Sequence, residues 1–511
     1  MITPSVRTSG RHGAVTAVVC VALATVVAAM ASLNVALPDI ARSTHASQTQ
    51  LEWIIDAYSL VFAALLLPAG AIGDRYGRRR ALLCGLAIFG IGSALAMTAG
   101  SAEVLIGLRG LLGLGAALVM PATLSTITGT FPAEQRTRAV GVWAAVAGGS
   151  AVLGLLTTGV LLEAWSWRSV FALNVVLAVI AFIGTLRVVP ESADPHAPRL
   201  DLGGSVFAVI GLVALVFSVI EAPEYGWSSA RTLIGTGCGL LVLAGFVGYE
   251  LTRKHPMLDP RIFGNPRLAA GSLSVFVQFF AFFGFIFIAL QYLQLVRGDS
   301  PLIAAVSVLP MAAAMMPMAR TAPILVAHFG SRVVCTAGLV VMSGGLLVLA
   351  GLGADSSYWL VAAGLVPLGL GMGAAMTPAT SAITEALPAA QQGVGSALND
   401  LSREVGGAIG IAVIGSVLTA GYRSDLHLPG VPAAVAEPAR NSFALAAHLG
   451  GPVRDQAQSA FVSGMHTALL YAAGAALLAA IAVNVLLATR SRRRRPTVAE
   501  PVTTKVPVGS V

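Results

Sequence analysis

The segment Gly70-Ala71-Ile72-Gly73-Asp74-Arg75-Tyr76-Gly77-Arg78-Arg79-Arg80 separates two apolar stretches and decides how the chain is organised. Its three glycines permit a tight turn and close approach of the flanking helices. The carboxylate of Asp74 can accept charge-assisted hydrogen bonds from neighbouring arginines. A basic turn beside a membrane helix needs only arginines, so the ordered glycines and the aspartate indicate a more specific structure.

The chain on both sides of this segment is apolar over nearly its whole length. Of its 511 residues, 56% are hydrophobic and 11% are charged, whereas an ordinary soluble domain is about 25% charged. The mean hydropathy is +0.83. These values argue against a soluble enzyme, a nucleic-acid-binding protein and a disordered scaffold. They predict one all-α polytopic membrane protein.

Apolar stretches long enough to cross a bilayer recur along the chain, separated by short polar turns. They lie at about 13–38, 51–71, 81–99, 103–127, 139–162, 169–189, 203–221, 232–251, 269–292, 302–326, 333–352, 358–381, 401–420 and 463–489. If the N-terminus is cytoplasmic, most of the 31 lysines and arginines fall on the inner side. We therefore expect fourteen transmembrane helices with both termini in the cytoplasm, and the net charge of +8 reports this topology.

Segment 70–80 resembles motif A of the major facilitator superfamily, residue by residue. Further segments resemble the fourteen-helix drug:proton antiporter branch of that family, the EmrB/QacA type, especially as found in actinobacteria: 33–38, 53–58, 108–110, 256–261 and 393–400. The resemblance implies the major facilitator fold, with the helices arranged as 6+2+6. It would divide the chain into an N-terminal six-helix half at 1–190, two inserted helices (7 and 8) with flanking loops at 191–268, a C-terminal six-helix half at 269–490, and a basic, disordered cytoplasmic tail at 491–511.

The resemblance also implies roles for particular residues. In this family motif A latches the two halves in one conformation, so the expected conformational switch comprises Gly70, Gly73, Asp74, Arg75, Gly77, Arg78 and Arg79. Arg109 matches the motif B arginine that the family uses in proton coupling. A weak internal copy of motif A at 326–332 keeps Gly330 at the Gly77 position but has Ala327 and His328 for the Asp and Arg, so we expect no functional latch there.

Charged residues inside the membrane are costly and usually mark a pathway. Asp56 and Arg109 lie at similar depth from the outer ends of predicted helices 2 and 4. We hypothesise that they face a shared cavity and interact, so that protonation of Asp56 would release Arg109. A static ion pair and an Asp56 hydrated near the interface are the alternatives.

Predicted helix 9 carries seven of the nineteen phenylalanines, between Phe276 and Phe287. The first helix of the second half lines the central cavity in this family, so the resemblance implies that some of these rings contact substrate by stacking or cation–π interaction. Others must face lipid. The expected cavity residues are Asn34, Gln278, Phe279, Phe280, Phe283 and Gln291.

Two positions depart from the family pattern, and one charged cluster has a simple interpretation. Segment 28–32 lacks the acidic residue that many relatives carry in helix 1, and Leu155 stands where the helix 5 antiporter signature has proline. At the start of helix 13, Asp400, Arg403 and Glu404 are predicted to form a local ion pair rather than to act in transport.

These features predict a multi-pass secondary transporter of the cytoplasmic membrane that exports hydrophobic, aromatic or cationic small molecules, such as drugs and antibiotics, in exchange for protons. A dedicated metabolite or antibiotic exporter, a facilitator with weakened proton coupling, and a non-transporting binding or assembly protein are the alternatives. The expected partners are small hydrophobic substrates, protons and membrane lipids. Neither nucleic acid, a cofactor, a metal site nor catalysis is expected, and a monomer is compatible with this interpretation.

Overall fold

A computed structural model describes residues 5–193, 201–254, 256, 258–387, 392–449 and 451–488, and the regular structure within these ranges is helical. The first eight helices are α1 (Ser5–Thr44), α2 (Gln48–Tyr76), α3 (Arg78–Ala96), α4 (Ala102–Thr130), α5 (Ala133–Ala164), α6 (Arg168–Val188), α7 (Leu202–Tyr225) and α8 (Ala230–Thr252). The remaining helices are α9 (Pro266–Gln291), α10 (Pro301–Ser307), α11 (Leu309–Ala350), α12 (Tyr358–Thr384), α13 (Gln392–Asp425), α14 (Ala433–Asn441), α15 (Phe443–Ala446) and α16 (Gly451–Ala488). The predicted tail at 491–511 lies outside the described residues.

Polar capping residues set the starts of the long apolar helices. Ser47 precedes α2: its Oγ accepts from the Gln50 backbone N–H at 3.1 Å, while the Gln50 Oε1 accepts from the Ser47 N–H at 2.9 Å. Ser101 and Ser229 cap α4 and α8 with their side-chain oxygens. These caps satisfy backbone donors that have no partner within the helix.

Thirteen of the described helical stretches are long and apolar enough to cross a membrane. One of them, Pro301–Ala350, has 50 residues and would extend about 75 Å, more than twice the thickness of a bilayer core. Gly330 within it has a non-helical backbone, with φ 80° and ψ 154°. The predicted turn between helices 10 and 11 falls at this glycine. The structure therefore has thirteen such stretches, against fourteen predicted, because Pro301–Ala350 is one continuous stretch.

Gly77 and Gly330 have the same unusual backbone. Gly77 joins α2 to α3 with φ 120°, and Gly330 has φ 80°. Both values lie in the left-handed region that glycine adopts readily and other residues avoid. The weak internal copy of segment 70–80 therefore has a structural counterpart at its glycine.

The two ends of the helical bundle differ in charge. We call the end with residues 76–80 and 186–192 the basic end, and the end with the α1–α2 connection the far end. The far-end connections are tied together: Trp167 Nε1 donates to Ser43 Oγ at 2.7 Å, and Arg168 donates to the carbonyls of Met97 and Ala99 at 2.9 and 3.1 Å.

Helices α1–α6 meet α9–α16 along two seams. In one seam α2 packs on α13, and α7 packs on both of them. In the other, α5 packs on α10. A Cβ atom at Gly159 of α5 would lie 2.8 Å from the Cα of Leu302 in α10, so the second seam requires a glycine there.

Candidate functional site

A central cavity of about 140 Å³ lies between the two sets of helices. Phe279, Phe282 and Phe283 of α9 contribute aromatic rings to its wall. Methionines line much of the rest: Met30, Met120, Met311, Met315, Met372 and Met376. Flexible, polarisable thioethers and aromatic rings accommodate apolar ligands of varied shape.

The phenylalanines of this wall contact one another. The ring centres of Phe279 and Phe283 are 5.9 Å apart, and those of Phe282 and Phe283 are 5.0 Å apart. The predicted cavity residue Phe280 is not among the lining residues and packs on Phe276 at 6.4 Å instead. Phe280 follows Phe279 by one residue and therefore points about 100° away around the helix axis, to the side of the face that lines the cavity.

The polar side chains predicted for the cavity also lie outside its wall. Gln278 donates to the Ser274 carbonyl at 3.0 Å, Gln291 donates to the Phe287 carbonyl at 3.0 Å, and Asn34 donates to the Ala31 carbonyl at 3.2 Å. All three side chains are buried and bond within their own helices. Gln278 and Gln291 lie roughly 100–120° around α9 from Phe279, and the sequence did not reveal which face of α9 lines the cavity.

Arg403 and Glu404 of α13 are the charged residues of the cavity wall. The predicted ion pair is present, with Arg403 Nη1 3.6 Å from Asp400 Oδ1. However, the Arg403 guanidinium also lies 4.8 Å from the Phe279 ring centre, and Glu404 is 3% exposed. Because α13 begins at Gln392, Glu404 lies about 18 Å along the helix, deeper than the predicted start at residue 401 implied. Residues 392–399 mix glycine, polar and apolar types, so no apolar run marked the earlier start.

Arg109 is almost fully buried in α4 and connects three helices. Its Nε donates to the Ile54 carbonyl of α2 at 2.8 Å. Its guanidinium carbon lies 4.4 Å from the centre of the Tyr58 ring. The Tyr58 hydroxyl in turn donates to the carbonyl of Val26 in α1 at 3.0 Å, and Val26 lines the cavity. Arg109 therefore has a continuous path of contacts to the cavity wall.

Asp56 does not form the direct contact with Arg109 that we hypothesised. It is fully buried, and among the described residues neither of its carboxyl oxygens has a hydrogen-bond partner. Arg109 contacts Ile54 and Tyr58, which lie on one face of α2, and Asp56 is about 200° around the helix from each. Asp56 thus projects from the face of α2 opposite to the one that Arg109 contacts.

Sequence reasoning missed Glu52, which lies one turn before Asp56 and is fully buried. Its carboxylate accepts hydrogen bonds from Thr419 and Ser416 of α13, at 2.6 and 3.4 Å. The signal was a second acid four residues from Asp56, on the same face of the same apolar helix.

The turn at segment 70–80 is ordered by contacts within α1–α6 and the residues after α6. Arg78 Nε donates to Asp74 Oδ1 at 2.8 Å, and Arg79 Nη2 donates to the Leu186 carbonyl at 2.6 Å. The Arg79 backbone N–H donates to Glu191 Oε1 at 3.2 Å, while Arg75 is exposed.

The glycines of this turn allow close packing. A Cβ at Gly73 would lie 3.3 Å from that of Ala81, and one at Gly70 would lie 3.4 Å from that of Pro121. At Gly77 an added Cβ would lie 2.6 Å from Glu191 Oε1. The expected switch residues therefore form one compact turn, and their described contacts do not reach α9–α16.

The far end carries the hydrogen bonds that the structure describes between α1–α6 and α9–α16. Gln294 Nε2 donates to the Val35 carbonyl at 2.9 Å, and the Leu302 N–H donates to Glu163 Oε1 at 3.4 Å. The bonds from α13 to Glu52 lie at the same end. The far end is therefore held closed in this conformation.

Comparisons with known proteins agree with this architecture. The family model described as Major Facilitator Superfamily matches residues 19–411. Multidrug resistance protein Stp of Mycobacterium tuberculosis is 35% identical over 86% of this chain and 85% of its own length. Methyl viologen resistance protein SmvA of Salmonella typhimurium is 35% identical over 90% and 95%. Tetracenomycin C resistance and export protein of Streptomyces glaucescens is 32% identical over 90% and 89%.

Solved structures share the fold at low sequence identity. A bacterial homologue of the human lysosomal transporter Spinster, inward-facing and unoccupied, superposes with a TM-score of 0.68 at 17% identity, covering 95% of this chain and 98% of that one. The POT family transporter PepTSo gives a TM-score of 0.64 at 16% identity, covering 94% of this chain and 98% of that one.

Proposed function

The chain belongs to the major facilitator superfamily and is a multi-pass transporter of the cytoplasmic membrane, and from this premise we propose that it exports hydrophobic, aromatic or cationic small molecules in exchange for protons. The names of its relatives, for multidrug resistance, methyl viologen resistance and tetracenomycin C export, support outward transport of drug-like compounds. The cavity supports the proposed substrate class, and the buried charges support the proton as the coupling ion.

The proposed topology has fourteen transmembrane helices in a 6+2+6 arrangement, with both termini in the cytoplasm. The turn at Gly330 divides the 50-residue stretch into two crossings. Residues 1–190 and 269–490 then form the two halves, and α7 and α8, within 191–268, are the inserted pair. The basic end faces the cytoplasm because cytoplasmic loops carry the excess of arginine and lysine.

The observation that carries the proposal is the composition of the central cavity. Its wall is almost entirely apolar and includes four phenylalanines and six methionines, and Glu404 provides a buried carboxyl beside them. A planar cation would stack on Phe283, because the Arg403 guanidinium already lies over Phe279, and would place its charge near Glu404. An uncharged apolar compound would use the same wall without the carboxyl.

Proton coupling is proposed to involve Asp56, Arg109 and Glu404. A carboxyl group inside a membrane can take up and release a proton as water reaches it, and such residues commonly form proton pathways. Asp56 projects from one face of α2, and Arg109 contacts the opposite face near Tyr58. A change in the charge or position of either residue would therefore move the same turn. Glu404 provides an acid in the cavity, although segment 28–32 of the first helix lacks one.

The switch is proposed to be segment 70–80. In the described conformation the far end is closed, and the switch contacts its own half. Docking of Asp74 and Arg75 against the second half would then accompany closure of the basic end. This assigns the described state to the cytoplasm-open side of an alternating-access cycle.

Accumulation of ethidium, a planar aromatic cation, in intact cells tests the proposal. Cells expressing the protein should accumulate less ethidium than empty cells, and an uncoupler should abolish the difference. A difference that survives the uncoupler would mean that export does not draw on the proton gradient, and faster ethidium entry with no lowered accumulation would favour a facilitator. Equal accumulation with and without the protein, repeated across aromatic, cationic and neutral compounds, would favour a non-transporting protein and overturn the proposal.

A further inference from the structure

Glu52 joins the two halves of the protein at the far end. It is fully buried in the first turns of α2. Its Oε1 accepts from Thr419 Oγ1 at 2.6 Å and its Oε2 accepts from Ser416 Oγ at 3.4 Å. Both donors belong to α13, which lies across the seam. One carboxyl group therefore accepts a short hydrogen bond from Thr419 and a longer one from the Ser416 hydroxyl, both of the opposite half.

The seam is shaped to admit this carboxyl group. A Cβ atom at Gly415, beside Ser416, would lie 2.9 Å from the Glu52 carboxyl carbon. Any larger residue at that position would displace the acid. The glycine, the serine and the threonine thus form a close-fitting receptor on α13 for a side chain of α2.

The inserted helix α7 is tied to the same place. The single Ser416 hydroxyl hydrogen is shared with the Val219 carbonyl, which lies 2.8 Å from Oγ, and Arg423 Nη1 donates to the Pro223 carbonyl at 3.4 Å. From α2, Trp53 Nε1 donates to Glu221 Oε1 at 3.0 Å. The end of α7 therefore bonds to both halves around Glu52.

Below these bonds the three helices share an apolar cluster. Its buried members come from α2, α7 and α13: Leu60, Ala63, Ala64, Leu212, Val216, Ile220 and Ala412. Apolar contacts of this kind are non-directional and can slide. The polar contacts at Glu52 have fixed geometry and are lost when the helices separate, so they define the closed position.

We propose that Glu52 is the outer latch of the transport cycle: its hydrogen bonds to Thr419 and Ser416, braced by α7, hold the far end closed. This inference rests on the proposed function for the assignment of the closed and open states of the transport cycle. The hydrogen bonds of Glu52 are those of the structure and do not depend on that function. Opening the far end breaks both bonds and separates the carboxylate from its receptor. Removing either partner therefore shifts the population toward the open state.

Distance measurement between spin labels tests the latch. The native cysteines at 20, 84, 238 and 335 are replaced by serine or alanine, and labels are placed through Val104→Cys and Ala354→Cys, exposed far-end positions on opposite sets of helices. Glu52→Ala and Thr419→Val should each add a longer-distance population in detergent, without substrate or gradient. The double variant should add little more, because both remove the same bond.

Two further variants separate a latch from a structural role. Thr25→Val removes a buried hydroxyl whose described hydrogen bond lies within α1, to the Val21 carbonyl at 2.8 Å, and should leave the distances unchanged. Glu52→Gln keeps an oxygen that accepts from Thr419, and should stay closer to the parent than Glu52→Ala. Parent-like distances in folded Glu52→Ala and Thr419→Val would overturn the proposal. Absence of ethidium export by the parent protein, with the distance shift still present in the variants, would overturn the proposed function but not the latch.

Discussion

The guanidinium carbon of Arg109 lies 4.4 Å from the centre of the Tyr58 ring, so the buried cation of α4 stacks on an aromatic residue of α2. It has no ion pair with Asp56 among the described contacts. The cation–π interaction and one hydrogen bond to the Ile54 carbonyl hold it in place. Because the Tyr58 hydroxyl also bonds the cavity-lining Val26, the stack joins the arginine to the wall of the substrate site.

Replacing Tyr58 tests this stack. Tyr58→Leu should lower the free energy of unfolding by about 2 kcal/mol or more, since it removes a desolvated cation–π contact. Tyr58→Phe keeps the ring and loses only the bond to Val26, at about 1 kcal/mol. Thermal unfolding of the purified protein in detergent compares the two. Equal losses for both variants would mean that the ring itself does not stabilise Arg109.

Asp56→Asn tests the proposed coupling role without removing a described hydrogen bond. We expect ethidium binding and thermal stability close to the parent, because neither carboxyl oxygen has a described partner. Efflux driven by an imposed pH gradient should fall by at least tenfold, since asparagine cannot carry a proton. Proteoliposomes with and without the gradient provide the measurement, and full proton-driven efflux by the variant would exclude Asp56 from coupling.

Glu404→Gln tests the carboxyl in the cavity. Ethidium affinity should drop by about tenfold, equivalent to about 1.4 kcal/mol, because a buried counter-charge is removed. Affinity for a neutral aromatic compound should change less. Phe282→Leu serves as a control that alters the wall but not the charge, and should weaken both ligands alike. Tryptophan or ligand fluorescence titrations measure the affinities, and an equal effect of Glu404→Gln on both ligands would contradict the role of its charge.

Alanine substitutions at the two left-handed glycines test the paired turns. Gly330→Ala should cost about 1–2 kcal/mol from backbone conformation alone, since its Cβ would meet nothing within 4 Å. Gly77→Ala should cost more, because its Cβ would also approach the Glu191 carboxyl. Gly107→Ala, in an open helical position, should be neutral or stabilising. Unfolding temperatures that rank these variants differently would show that the turns are not strained as described.

The sequence predicted the family and the helical fold because ordered motifs and spanning lengths are local features. Segment 70–80 predicted its turn, and the copy at 326–332 predicted the break at Gly330. The predicted helix starts were less accurate. The helix α13 begins about nine residues before the predicted position, so Glu404 lies deeper in this helix than predicted and lines the cavity.

Rotation of the helices was the main feature that the sequence could not supply. A membrane helix that is apolar on every face shows no amphipathic stripe from which its orientation can be read. Asp56 and Arg109 lie at similar depth, but Asp56 projects from the face of α2 opposite to the one that Arg109 contacts. Gln278 likewise faces away from the cavity that Phe279 lines. The role of Glu52 depends on its hydrogen bond to Thr419 of α13, which is 367 residues away along the chain and reaches Glu52 only through tertiary packing.

Proton release during substrate transport tests the central claim most directly. The purified protein would be reconstituted in liposomes that enclose a pH-sensitive dye, with an inside-acid gradient, and ethidium would be added outside. For the molecules oriented with the basic end outward, ethidium entry should be accompanied by proton exit, and both fluxes should fall together in Asp56→Asn. Ethidium entry with no proton movement, at the same rate with and without the gradient, would contradict proton-coupled export.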